Sequence, residues 1–111
     1  MVTSHLASAT VRRTLRQLGL AMKEARLRRS LPLEIVAERA GTTRQTIARL
    51  EKGDPAVSMG IYASALLALG LLDRLAELAL PTADPTGLAL ASEALPQRAR
   101  LPRPKQEASN E

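Results

Sequence analysis

Residues 33–53 read LEIVAERAGTTRQTIARLEKG, the most informative part of the chain. Pro32, just before it, suits the first position of a helix, because its missing N–H would have no partner there anyway. Gly41 belongs to the residue type that best tolerates the left-handed backbone at a helix C-terminus. The sequence therefore predicts a short helix from about Pro32 to Ala40, with its chain turning at Gly41.

A second short helix follows the turn at once. Thr43 is a natural N-cap, and the pattern predicts a helix over residues 44–52 that turns Ile47 and Leu50 inward and closes at Gly53. Two short helices joined by a tight glycine-containing turn are the helix-turn-helix arrangement, in which the second helix lies in the major groove of DNA. DNA recognition is therefore the first functional hypothesis.

Apolar periodicity predicts three more helices around this pair. The first covers residues 10–29, the fourth runs from a Ser58 cap to about Gly70, and a short fifth covers residues 71–79. The expected buried residues are Val11, Leu15, Leu18, Met22 and Ala25 in the first helix, Val36, Ala37 and Ala40 in the second, Met59, Ile61, Leu66 and Leu69 in the fourth, and Leu72, Leu75 and Leu78 in the fifth.

The two ends of the chain differ from the middle in amino-acid composition. Residues 1–9 are short and polar, and residues 81–111 are rich in proline and carry the basic stretch QRARLPRPK at 97–105. The predicted organisation is an N-terminal tail over 1–9, an all-α domain of five helices over 10–80, and a basic tail over 81–111 that is disordered in isolation. The tail is interpreted as a solvated linker, with a DNA groove or a partner's cleft as the alternative.

Composition supports an all-α domain with a polyanionic partner. Hydrophobic residues make up 45% of the 111 residues, almost all of them Leu and Ala, and Tyr62 is the one aromatic residue. Leu and Ala favour helix, and so thin a core gains from a partner subunit that covers its open side. The formal net charge is +5, with arginine dominant, which suits phosphate and guanine recognition.

Several classes of function are disfavoured. The chain has no Cys and one His, His5, and it shows no Gly-rich phosphate loop and no paired acidic cluster, so we expect no catalytic site, cofactor or metal. No signal peptide or membrane-spanning run is evident, so the expected location is the bacterial cytoplasm.

The stretch TTRQTIARLEKG, residues 42–53, resembles the Xre and phage-repressor family of helix-turn-helix proteins, and the resemblance extends over roughly residues 18–70. It implies a five-helix lambda-repressor-like domain that represses transcription as a homodimer on an inverted-repeat operator of double-stranded DNA. The family's small residue, turn glycine and inward aliphatic residue correspond to Ala37, Gly41 and Ile47.

The resemblance also implies roles for individual side chains. Those expected to read bases are Arg44, Gln45 and Arg49, and those expected near phosphates are Thr43, Thr46 and Lys52. Arginine can donate twice to guanine and glutamine can pair with adenine, so the chemistry fits. The alternative interpretation of all of them is a solvated helix face. A structural salt bridge is implied between Arg26 and Glu51.

Two features depart from the family. Leu33 stands where many relatives place a glutamine that holds a phosphate, and the loop after Gly53 is acidic. Both predict fewer backbone contacts beside the second helix. Arginines of the first helix are interpreted as surface charge, with phosphate contact as the alternative.

A narrower resemblance covers residues 51–78, EKGDPAVSMGIYASALLALGLLDRLAEL, together with LPQRARLP at 95–102. These stretches are similar to HipB-type antitoxins, which dimerise, repress their own operon and hold a HipA-like Ser/Thr kinase inactive. The resemblance implies such a kinase toxin as a partner. A stand-alone regulator without a toxin, or an interaction module with little DNA binding, stays open, and helix five with the tail is the expected dimer face.

Overall fold

The structure, a computed structural model, describes residues 7–98, with side chains up to residue 94. Its regular structure is helical throughout these residues, with no strand, which confirms the all-α prediction. The elements are α1 (Ala9–Arg28), α2 (Leu33–Ala40), α3 (Arg44–Glu51), α4 (Met59–Leu69), α5 (Leu72–Ala76), a 3₁₀ turn (Pro81–Ala83) and α6 (Pro85–Arg98). The described residues divide into two compact units, the first over residues 7–75 and the second over residues 76–98.

Side-chain caps fix where the helices of the first unit begin. The hydroxyls of Ser8, Thr43 and Ser58 each accept a hydrogen bond at 3.1 Å from the amide three residues later. Such caps satisfy amides that have no partner inside the helix. Pro32 is the N-cap of α2, so the helix begins at Leu33, one residue later than predicted. The backbone of Pro32 is extended, and its carbonyl accepts from the amides of residues 35 and 36.

The core of the first unit lies between α1, α2, α3 and α4. The α2 helix packs against both α3 and α4, and α1 also contacts both of them. The largest side chains that are fully buried are Val36, Ile47 and Leu50, and Tyr62 is buried as well. The other buried members of this cluster are Met22, Ala25, Ala37, Ala40, Val57, Ala65, Leu66 and Leu69.

The buried face of α1 differs from the predicted leucine stripe. Val11 and Leu18 are exposed, whereas the buried residues of this helix are Gly19, Met22, Ala25 and Arg26. A Cβ built on Gly19 would lie 2.5 Å from the carbonyl oxygen of Leu50, so the backbones of α1 and α3 meet there. This close approach and the burial of Arg26 decide which face of α1 is buried. Neither feature can be seen in the pattern of apolar residues along the helix.

Two other predicted core residues are also exposed. Met59 is the first residue of α4, and its side chain is exposed at that end of the helix. The α5 helix is short and ends at Ala76, so Leu78 lies beyond it. Leu72 and Leu75 pack against the core as predicted, and Ile61 is partly buried.

The second unit contains a helix where the sequence predicts an irregular tail. Pro85 begins α6, at a position where a missing N–H costs nothing. One carboxylate oxygen of Asp84 accepts from the Gly87 amide at 3.0 Å, and its carbonyl accepts from Leu88 at 2.9 Å. The following run, LALASEAL, is rich in strong helix formers, so Pro85 starts a helix here, and Pro96 lies within the last turn of that helix. Most of the basic stretch at 97–105, and His5, lie outside the described residues.

None of the helices within residues 7–98 combines the length and the apolarity needed to cross a membrane.

Candidate nucleic-acid interface

The α3 helix presents one apolar face and one polar face. Ile47 and Leu50 are buried, and they fix the rotation of the helix about its axis. The three predicted base-reading residues, Arg44, Gln45 and Arg49, are all exposed. Packing beneath the helix therefore directs two guanidinium groups and one amide outward, on the same short helix.

The turn before α3 has the predicted glycine geometry. Gly41 adopts a left-handed backbone with φ of 72°, and the Thr42 amide donates to the carbonyl of Ala37 at 2.9 Å. Ala37 is buried, and because its side chain is only a methyl group, α2 can approach its neighbours closely at this point. This turn sets the angle at which α3 leaves α2.

The predicted phosphate-contact residues lie at the two ends of α3. Thr43 is exposed and caps the helix, and its hydroxyl oxygen lies 2.9 Å from that of Thr46. Lys52 is exposed and is the C-cap residue, which directly follows Glu51, the last residue of α3. Hydroxyl donors at a helix N-terminus suit an anion, because the unpaired amides and the helix dipole there favour negative charge.

A salt bridge ties α1 to the C-terminal end of α3. Arg26 Nε donates to Glu51 Oε2 at 2.6 Å and Nη2 donates to Oε1 at 3.1 Å, which makes the pair bidentate. Arg26 Nη1 donates to the carbonyl of Leu31 at 2.9 Å, so one side chain joins α1, α3 and the loop before α2. The side chains of the pair are only 9% and 8% exposed. The structure thus brings together the two residues that the family resemblance pairs.

The outward arginines have acidic neighbours, and the pairing of the arginines with them was not predicted from the sequence. Arg44 Nε lies 3.3 Å from Glu34 Oε2, with both side chains more than half exposed. Arg49 Nε donates to Asp54 Oδ2 at 2.8 Å. A signal for the second pair exists in the sequence, because Gly53 ends the helix and so returns the next residue toward the last turn.

Asp54 is held from several directions. Its Oδ1 accepts from the Ala56 amide at 2.8 Å, and its own amide donates to the Arg49 carbonyl at 3.1 Å. The pKa of the Asp54 carboxyl is lowered below its ordinary value, first by the Ala56 amide and then by the Arg49 guanidinium, since both stabilise the charged form. The carboxylate is therefore a fixed negative charge beside the exposed guanidinium of Arg49.

Tyr62 connects this loop to the core. Its hydroxyl donates to the Asp54 carbonyl at 3.1 Å, while its ring is buried. Burial raises the pKa of Tyr62, and the negative charge of Asp54 raises it further, so the phenol keeps its donor proton. The tyrosine is thus a core anchor for the loop.

We predict that Tyr62→Phe lowers the free energy of unfolding by about 1 kcal/mol, because it removes one hydrogen bond and leaves the ring in place. Urea denaturation followed by circular dichroism measures the difference. Tyr62→Leu is the comparison, and it should cost more because it also leaves a gap in the core. An unchanged midpoint for Tyr62→Phe would show that the bond to Asp54 contributes nothing.

These features define a class of protein: a small helix-turn-helix protein in which α3, the second helix of the motif, exposes a face with two arginines and a glutamine. The family model described as a helix-turn-helix domain matches residues 17–79, more than half of the 111 residues, and the chain belongs to that family. A domain of this kind indicates a DNA-binding regulator. No curated protein matches the chain.

Proposed function

We propose that this protein is a sequence-specific transcriptional repressor that acts as a homodimer on double-stranded DNA in the bacterial cytoplasm. The observation that carries the proposal is the outward presentation of Arg44, Gln45 and Arg49 on a helix whose other face is buried. Each subunit would place α3 in a major groove, with the two grooves about 34–36 Å apart on an inverted repeat.

The chemistry of the exposed face supports base reading. Each arginine can donate two hydrogen bonds to guanine O6 and N7, and Gln45 can pair with N6 and N7 of adenine. The net charge of +5 attracts the chain to DNA phosphates, and this attraction is the same for every DNA sequence. Thr43 and Lys52 lie at the two ends of α3, and we expect them to hold the helix against the phosphate backbone of the DNA.

A homodimer is the form that this chain would use. A single short recognition helix reads few base pairs, and two copies double the length of the site read. A second subunit can bury apolar side chains that are exposed on the surface of the first unit, namely Leu20, Leu27 and Leu67. Sedimentation of the full chain at micromolar concentration tests this part of the proposal, and a monomer bound to its operator would contradict it.

We predict that Arg44→Ala reduces discrimination between operator and random DNA by about 1–3 kcal/mol. The operator is first obtained by selecting bound duplexes from a random library with the full chain. Gel-shift titrations then give the ratio of operator to non-operator affinity for each variant.

Arg13→Ala, which removes the same charge from an exposed position on α1, is the matched control for this experiment. It should weaken binding to all duplexes alike and leave the ratio unchanged. Equal discrimination by wild type and Arg44→Ala would remove Arg44 from the base-reading set, and failure of the wild-type chain to select any sequence would overturn the proposed function.

The finer proposal is that the repressor is a HipB-like antitoxin that autoregulates its operon and holds a HipA-like Ser/Thr kinase inactive. It rests on the resemblance of residues 51–78 and 95–102 to such antitoxins. The exposed side chain of Met59, at the start of α4, lies within this stretch and is free to contact a partner.

The test of the antitoxin proposal is the neighbouring gene. A kinase-sized neighbour whose product co-purifies with this chain and is inhibited by it supports the proposal. DNA binding without such a partner would make the chain a stand-alone regulator. Kinase binding with no DNA selection would make it an interaction module.

A further inference from the structure

The Arg49 guanidinium is held on one edge by a carboxylate that is itself fixed. Asp54 Oδ2 accepts from Arg49 Nε at 2.8 Å, while Asp54 Oδ1 accepts from the Ala56 amide at 2.8 Å. The peptide oxygen of Asp54 accepts from the hydroxyl of Tyr62, whose ring belongs to the core. The carboxylate that accepts from Arg49 therefore belongs to a loop that is anchored to the hydrophobic core of the domain.

The corresponding pair at the other end of α3 is looser. Arg44 Nε lies 3.3 Å from Glu34 Oε2, and the Glu34 side chain is 64% exposed. The Asp54 side chain is only 30% exposed. Of the two outward arginines, Arg49 is thus the one whose direction is set by the protein.

We propose that Asp54 is a specificity-determining positioning residue, which holds Nε of Arg49 so that only the paired Nη atoms can meet a base edge. This inference rests on the proposed DNA-binding function. A guanidinium can offer a base either its Nε–Nη edge or its two Nη atoms, and each edge fits the O6 and N7 acceptors of guanine. With Nε occupied by Asp54, one approach remains, and Arg49 reads guanine end-on.

The energetics separate this role from a stabilising one. An ion pair at 51% and 30% exposure adds little to folding, because solvent screens it. A negative charge near the phosphates also opposes binding to every sequence. Asp54 is therefore expected to act on discrimination between sequences, and to act against overall affinity.

The test is Asp54→Asn in the full chain, on the operator selected by the wild-type protein. Asparagine keeps an oxygen that accepts from Ala56, but the group facing Arg49 becomes an amide that cannot accept from Nε. We expect discrimination to fall about three- to tenfold, since Arg49 must then be ordered on binding. Binding to random DNA should tighten about two- to threefold as the charge is lost.

Asp73→Asn is the matched control, because it removes the same charge from an exposed position on α5. It should leave discrimination unchanged. A second measurement uses the Arg49→Ala background, in which Asp54→Asn should cause no further loss of discrimination, since the side chain that it positions is gone. Base preference should relax at the one position that is also relaxed by Arg49→Ala.

Two results would overturn the inference. One is wild-type discrimination by a folded Asp54→Asn variant, and the other is an equal loss in the presence and absence of Arg49. A wild-type chain that selects no sequence would instead overturn the proposed function. The two failures are therefore distinguished by the wild-type selection alone.

Discussion

Replacing Arg26 with methionine should lower the free energy of unfolding by about 3–5 kcal/mol, because it leaves Glu51 charged and unpaired at a largely buried position. The Glu51 side chain is only 8% exposed, and both of its oxygens accept from Arg26. The same change also removes the donor from the Leu31 carbonyl. Urea denaturation of the full chain, followed by circular dichroism, gives the difference.

Two comparisons show that the loss comes from the stranded carboxylate. Arg28→Met, two residues along α1 at an exposed position, should change stability by less than about 0.5 kcal/mol. The double variant Arg26→Met with Glu51→Met should recover most of the loss, because apolar side chains of similar volume can replace a buried ion pair. A single variant as stable as Arg28→Met would show that the pair is not buried in solution.

This salt bridge has a functional consequence as well. Glu51 is the last residue of α3, so the bridge holds the end of the recognition helix to α1. The outward side chain of Arg49 lies in the same final turn. A helix with a loosened end would present that side chain in several directions, and discrimination between sequences should fall together with stability.

The parts of the fold that sequence predicted best are those set by local chemistry. The bounds of α3 follow from a threonine that caps its first turn and a glycine that ends its last, and both act within a few residues of themselves. The rotation of α3 follows from the spacing of Ile47 and Leu50. The exposure of the predicted reading residues then follows from that rotation, without knowledge of the rest of the molecule.

One of the parts that sequence missed depends on contacts between elements. The face of α1 is set by Gly19 lying against the backbone of α3, and a pattern search for apolar residues passes over a glycine. The pairing of Arg49 with Asp54 is local, because the turn at Gly53 returns Asp54 to the last turn of α3, and it was missed because Asp54 was considered only as part of an acidic loop. The helix over Pro85–Arg98 was missed for a different reason, because prolines at its ends were interpreted as breakers, although the first of them starts the helix.

Gly53→Ala should destabilise the first unit by about 2–5 kcal/mol, through two costs that add at one residue. Gly53 has φ of 77°, a conformation that costs an L-residue with a side chain about 1–2 kcal/mol. A Cβ there would also lie 2.5 Å from the Cα and backbone nitrogen of Arg16, and backbone atoms of α1 cannot rotate away. Moving α1 to make room is an overpacking cost of about 1–3 kcal/mol.

Gly41→Ala separates the two costs. Gly41 has nearly the same backbone, with φ of 72°, but a Cβ there would meet nothing within 4 Å. It should therefore lose only the conformational part, about 1–2 kcal/mol, in the same denaturation experiment. The difference between the two variants measures the approach of α1 to the end of α3. If both variants lost the same free energy, α1 would not pass against Gly53, and the recognition helix would lack the support that fixes Asp54 beside Arg49.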